Sequence, residues 1–192
     1  MDMEKDNITR FKQILERQKR QLSAFKVLVV DDEPSILNLL ETALVAFEDC
    51  YVATAGTASD ALHALSRAKN PFDCLLIDIQ MPGKSGIELL REIRALPDYA
   101  NTPIIMLTAM CERSYVDNAF LEGAVDYITK PFDLSDLQVR LNSVQTLSKE
   151  RRNSGSGESA SVKSVQTALY GFDDAFPING VPRLLGCREF DN

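Results

Sequence analysis

Histidine occurs once in this sequence, at position 63, and none of the four cysteines (Cys50, Cys74, Cys111 and Cys187) belongs to a CxxC pair. That excludes a zinc site built from the usual thiolate and imidazole ligands. Cys74 lies in an apolar run and reads as a small buried hydrophobe. Unpaired thiols suit a reducing compartment, so a cytoplasmic location is expected. No apolar stretch approaches the roughly 20 residues that span a bilayer, so no membrane partner is expected. The N-terminal MDMEKDNITRFKQ has no apolar segment of the kind a signal peptide needs. Positive charge is also short: 21 Lys and Arg stand against 28 Asp and Glu, a formal net charge of −7. Nucleic-acid binding needs clustered basic residues to meet phosphates, so none is expected of this chain. What is present is ordinary for a globular chain: 192 residues, 45% hydrophobic and 26% charged, with room for a sizeable core.

Three zones follow one another. Residues 1–25 hold one amphipathic helix, from about Glu4 to Phe25, with Ile8, Phe11, Leu15, Leu22 and Phe25 at spacings of three and four and Gln18 completing the seam. Such a stripe serves equally a homodimer seam or packing on the chain's own domain. Residues 26–152 alternate short apolar runs with helix-length segments. Val27–Val30, Tyr51–Ala55, Cys74–Ile77, Ile104–Leu107 and a weaker Val125–Ile128 read as strands. Helices are expected from Pro34 through Leu44, Thr57 to Ala68, Ser85 to Leu96, Glu112 to Glu122 with Gly123 as its stop, and from Leu134 through Val144. Five strand-helix repeats predict an α/β fold, a doubly wound parallel sheet with helices on both faces. Residues 153–192 begin in a Gly/Ser-rich stretch, RRNSGSGESAS, and read as a flexible linker and a tail. Pro177, Gly180, Pro182 and Gly186 interrupt any long element there.

Open parallel sheets carry their functional residues at the carboxyl ends of the strands. Here those ends hold Asp31-Asp32-Glu33, Asp78, Thr108-Ala109 and Thr129-Lys130-Pro131. Crowded carboxylates call for a hard cation. Mg²⁺ (or Mn²⁺) commonly takes one or two carboxylates, several waters and a phosphate. A carboxylate beside such a metal can attack phosphorus and form an aspartyl phosphate. Lys130 can hold a phosphate oxygen, and the Thr108 hydroxyl can donate to another. Each residue alone has a plainer reading. The acidic run could cap a helix, Lys130 could be a surface cation, Thr108 a strand residue, and Tyr127 a half-buried core tyrosine. His63 reads as a surface or boundary residue.

Four segments then carry a resemblance: KVLVVDDEP (Lys26–Pro34), LLIDIQMPGKSGIELL (Leu75–Leu90), PIIMLTA (Pro103–Ala109) and GAVDYITKPF (Gly123–Phe132). Together, and in this order, they resemble the receiver domain of two-component response regulators, over about two-thirds of the chain. The resemblance implies a five-stranded sheet of order 2-1-3-4-5. It implies Asp78 as phosphoacceptor. Mg²⁺ would be held by Asp32 and Asp78 directly, Asp31 through water, and the backbone carbonyl of Gln80. Lys130 would pair with the acceptor and then with the phosphoryl group. Thr108, with Ala109 beside it, would be the switch hydroxyl, Tyr127 the switch aromatic, and Lys130–Pro131 a cis peptide. Gln80 and Met110 would stand at the positions that tune dephosphorylation.

Such a chain would be a phosphoacceptor rather than an enzyme, apart from slow self-dephosphorylation. A histidine kinase or phosphotransfer protein would supply the phosphoryl group. A downstream protein, a missing output domain or a homodimer would read the state through the fourth helix, fifth strand and fifth helix. Two alternatives stand beside it. One is the regulatory front of a larger output enzyme, such as a cyclic-dinucleotide synthase or phosphodiesterase. The other is a flavodoxin-like FMN protein or phosphatase, disfavoured because no Ser/Thr/Gly-rich phosphate loop follows the first strand.

Overall fold

The computed structural model describes residues 24–46, 50–109 and 118–154. Its five strands are β1 (Phe25–Val30), β2 (Cys50–Ala55), β3 (Cys74–Asp78), β4 (Ile104–Thr108) and β5 (Asp126–Thr129). All neighbours pair in parallel, in the order β2-β1-β3-β4-β5. The helices are α1 (Pro34–Val45), α2 (Ala58–Arg67), α3 (Gly86–Arg94), a helical turn α4 over 118–121, and α5 (Leu134–Ser154), with a 3₁₀ turn at Pro97–Tyr99. This is the architecture the sequence predicts.

Burial explains which runs became which strands. β3 and β4 are buried at every position and β1 at all but one. Helices cover both faces, so these three strands read as unbroken apolar runs. β2 and β5 lie at the edges: β5 alternates buried and half-buried positions, and β2 is buried only at Ala55. Leu28, Val30, Leu75, Ile77, Ile104 and Met106 face a core with Leu89, Leu90 and Ile93 of α3. Val27, Val29, Leu76, Ile105 and Leu107 face the other, with Leu40 and Leu44 of α1 and Leu137, Leu141 and Val144 of α5. The period-2 alternation along β1 thus supplies two cores from one strand.

Helix starts follow local chemistry. Pro34 opens α1, where its missing N–H costs nothing. The Thr57 hydroxyl accepts from the Asp60 N–H at 3.1 Å and caps α2. Ser85 and Glu88 form a reciprocal capping box on α3. α4 ends where Gly123 takes φ 98°. The Gly123 N–H donates to Phe120 O at 3.0 Å and the Ala124 N–H to Ala119 O at 2.9 Å, the paired bonds of a Schellman end.

Most strand and helix ends move by a residue or two from the sequence reading, and two of the shifts change a zone's bounds. Phe25 is the first residue of β1, not the last of an N-terminal helix; it pairs with Cys50 and is buried beside Val27. α5 runs on through Ser154, so residues 153 and 154, assigned to the linker from their composition, are helical. Helical hydrogen bonding outlasts the apolar stripe, which ends near Leu147. The remaining N-terminal segment, the start of the fourth helix with Met110, and the tail from residue 155 lie outside the described residues. No helix among the described residues is long and apolar enough to cross a membrane.

Candidate functional site

Asp31 leaves the end of β1 fully buried. Its N–H donates to Ala55 O at 3.1 Å, and its Oδ1 accepts from the Glu33 N–H at 3.0 Å. Asp78 closes β3, buried between neighbouring strand ends. Lys130 follows β5, and its N–H donates to Thr108 O at 2.6 Å, which continues the β4–β5 ladder. That backbone bond aims the lysine side chain inward. Its Nζ lies 2.6 Å from Asp31 Oδ2, 2.8 Å from Asp78 Oδ1 and 3.8 Å from Glu33 Oε1. The Asp31 Oδ2 contact lacks hydrogen-bond geometry and leaves that buried oxygen without a hydrogen bond.

One ammonium therefore serves two buried carboxylates. Burial drives the Asp78 carboxyl above the ordinary range; Lys130 pulls it down, Asp31 pushes it up, and the net direction is up. Burial works against the Lys130 ammonium, but its close ion-pair contacts with Asp31 and Asp78 outweigh that and raise its pKa. The two directions agree once the stoichiometry is counted. Lys130 gains two anions, whereas Asp78 gains one cation and one like charge. The trio carries a net negative charge in a poorly solvated place, and two close carboxylates of this kind are a natural seat for a hard cation. Among the described residues no group of three or more His, Cys, Asp or Glu closes into a metal cage.

The other expected residues lie at or beside the same strand ends, except Tyr127, which lies within β5. Thr108 is buried at the end of β4, and Ala109 beyond it is exposed. Asp32 is exposed, next to Asp31. Gln80 is exposed, and its backbone hydrogen-bonds the Asp78 carboxylate. Tyr127 is half-buried, its ring edge-on to Phe120 with centroids 6.0 Å apart and planes at 87°. The Lys130–Pro131 peptide is cis. Cys74 is fully buried, as its apolar run predicts.

Sequence reasoning passed over several residues. Gly86 starts α3 so tightly against β3 that a Cβ there would lie 2.0 Å from the Asp78 carbonyl oxygen. Its N–H donates to Ile79 O at 2.9 Å. A glycine directly after a capping serine was the available signal. Asp126, buried on β5, is paired with Arg140 of α5, which also meets Asp136. Arg94 places its guanidinium on three backbone carbonyls, those of Tyr99, Thr102 and Gly123. Both cations stand among other charged residues of their helices, which gives no sequence signal of these partners.

A family model of the response regulator receiver domain matches residues 27–142. The transcriptional regulatory protein KdpE of Staphylococcus aureus is 34% identical over 128 residues, which is 66% of this chain and 52% of that protein. The regulatory protein AtoC of Escherichia coli is 36% identical over 131 residues, 67% of this chain and 27% of that protein. The chain thus spans about half the length, or less, of the curated relatives it matches. Among solved structures, the chemotaxis protein CheY4 of Vibrio cholerae is similar with a TM-score of 0.59 and 31% identity, covering 63% of this chain and 98% of that one.

Proposed function

The chain belongs to the response regulator receiver domain family, and we propose that it is a phosphorylation-dependent switch whose phosphoacceptor is Asp78. The observation that carries this reading is the under-neutralised pair Asp31 and Asp78 on the single ammonium of Lys130. A histidine kinase or phosphotransfer protein in the cytoplasm would present a phosphohistidine. An Asp78 carboxylate oxygen attacks phosphorus, the P–N bond breaks, and the departing imidazole takes up a proton. Lys130 follows the charge from the carboxylate to a phosphoryl oxygen, and the Thr108 hydroxyl donates to another. Mg²⁺ would be held by Asp31, Asp32, Asp78 and the carbonyl of Gln80, and it would neutralise the phosphate oxygens during transfer. Tyr127 turns inward as Thr108 moves, and the face formed by α4, β5 and α5 changes shape for a downstream protein, an output domain or a second copy.

Intact-mass spectrometry after incubation with acetyl phosphate tests the assignment. One phosphoryl group should be gained with Mg²⁺, lost without it, and lost in Asp78→Asn. Stable phosphate on Asp78→Asn would move the acceptor elsewhere.

A further inference from the structure

The end of α3 remote from Asp78 grips α4. Arg91 makes a two-pronged pair with Glu122, Nε to Oε2 at 3.1 Å and Nη2 to Oε1 at 2.6 Å. One turn on, Arg94 Nη2 donates to Gly123 O at 2.7 Å, while Nη1 donates to Tyr99 O at 3.0 Å and Thr102 O at 2.8 Å. Both arginines thus hold the Schellman end of α4. The fit is interlocked, since a Cβ on Gly123 would stand 3.1 Å from Arg94 Nε. Two and three residues before the gripped pair, the same end carries Phe120, whose ring stands against Tyr127. The position of Phe120, and with it the space open to Tyr127, is therefore set from α3.

We propose that Arg91 and Arg94 are positioning residues of the switch, a clamp that holds the end of α4 on α3 and, through Phe120, restrains the inward turn of Tyr127. This rests on Tyr127 being the switch aromatic of the proposed function. The direction follows from the geometry. The clamp is closed in the arrangement where Lys130 lies 2.8 Å from Asp78. A shift of α4 that moves Phe120 must break the bidentate pair or carry α3 with it. Closing contacts made in one of two arrangements weight the equilibrium toward that one. By linkage, loosening them must strengthen the binding of anything that favours the other.

The test is the affinity of the unsubstituted chain and of Glu122→Gln for beryllofluoride with Mg²⁺, measured by calorimetry. Glu122→Gln removes the charge pair and leaves the backbone bonds in place. Affinity should tighten about two- to fivefold, the range an exposed ion pair supports. Amides of residues 118–127 should also exchange hydrogen faster before the probe is added, as a held end is released. Glu92→Gln is the control: Glu92, on the same helix, pairs with Lys84 at 2.6 Å and takes no part in the Arg91 and Arg94 contacts. Its affinity should stay unchanged. An unchanged or weaker affinity in Glu122→Gln overturns the clamp, as does an equal gain in Glu92→Gln. No binding by the unsubstituted chain would overturn the switch reading itself, a different failure from binding that Glu122→Gln leaves alone.

Discussion

At its N-terminal end α3 packs on the backbone of Asp78, one of two buried carboxylates that share one ammonium; at its C-terminal end it buries a guanidinium among three carbonyls. The first place has too much negative charge for its surroundings. The second has a cation whose hydrogen bonds are nearly complete, with only Nε left over. Burial draws the Arg94 guanidinium down to about 10, still charged at neutral pH. Planar guanidinium donors satisfy carbonyls that terminate chain segments, and the result is a rigid joint. Carboxylates held together with half the compensation they need are strained until a cation or a phosphoryl exchange relieves them. The joint is a device of stability; the rim holds free energy that ligand chemistry can use.

The comparison breaks most sharply at the glycine between them. Gly86→Ala drives a Cβ to 2.0 Å from the Asp78 carbonyl oxygen. Backbone cannot yield as a side chain can, so the fold should lose about 3 kcal/mol, read by urea denaturation. Gly56→Ala meets nothing within 4 Å and should change stability by less than about 1 kcal/mol. At the joint, Arg94→Met removes the guanidinium from Thr102 O and Gly123 O, while Tyr99 O keeps the Thr102 N–H, and should cost roughly 2 kcal/mol. Arg94→Lys should recover only part of that, because one ammonium cannot reach all three. Removing the N-terminal cap of α3, in Ser85→Ala, should cost about 1 kcal/mol.

At the rim the sign reverses, and Asp78→Asn should raise the melting temperature at neutral pH. The Asp78 carboxyl titrates higher folded than unfolded, so the folded state binds more protons between the two values and stability falls as pH rises through that window. Above it, ionised Asp78 is a net cost that asparagine removes. The advantage of Asp78→Asn should be full above the folded pKa and vanish as pH falls below the unfolded one. A melting curve series from neutral to acid pH checks this, and an advantage that grows on acidification would contradict it.

The rim was legible in the sequence because strand ends can be located from apolar runs alone, and a parallel sheet gathers those ends on one edge. Asp31, Asp78 and Thr108 each follow directly on such a run, and Lys130 follows one residue later. The joint was not legible. Arg94 and Arg91 stand three apart in a helix rich in charge, as solvated residues do. What separates them is the arrival of Thr102, Glu122 and Gly123 from elsewhere in the chain. Gly86 left only a faint signal, a glycine directly after a capping serine, since a helix start needs no glycine until β3 packs beneath it. The partnership of Phe120 with Tyr127 depends on how a helix end settles on a strand, which no spacing encodes.

The central claim is that Asp31 and Asp78 are left short of positive charge so that a cation and a phosphoryl group can bind. The most direct test compares the thermal stabilisation by excess Mg²⁺ of the unsubstituted chain with that of Asp78→Asn. A ligand that binds only the folded state raises the melting temperature in proportion to its occupancy. Mg²⁺ should raise it by a few degrees in the unsubstituted chain and leave Asp78→Asn nearly unmoved. Equal shifts in the two, or none in either, would contradict the account.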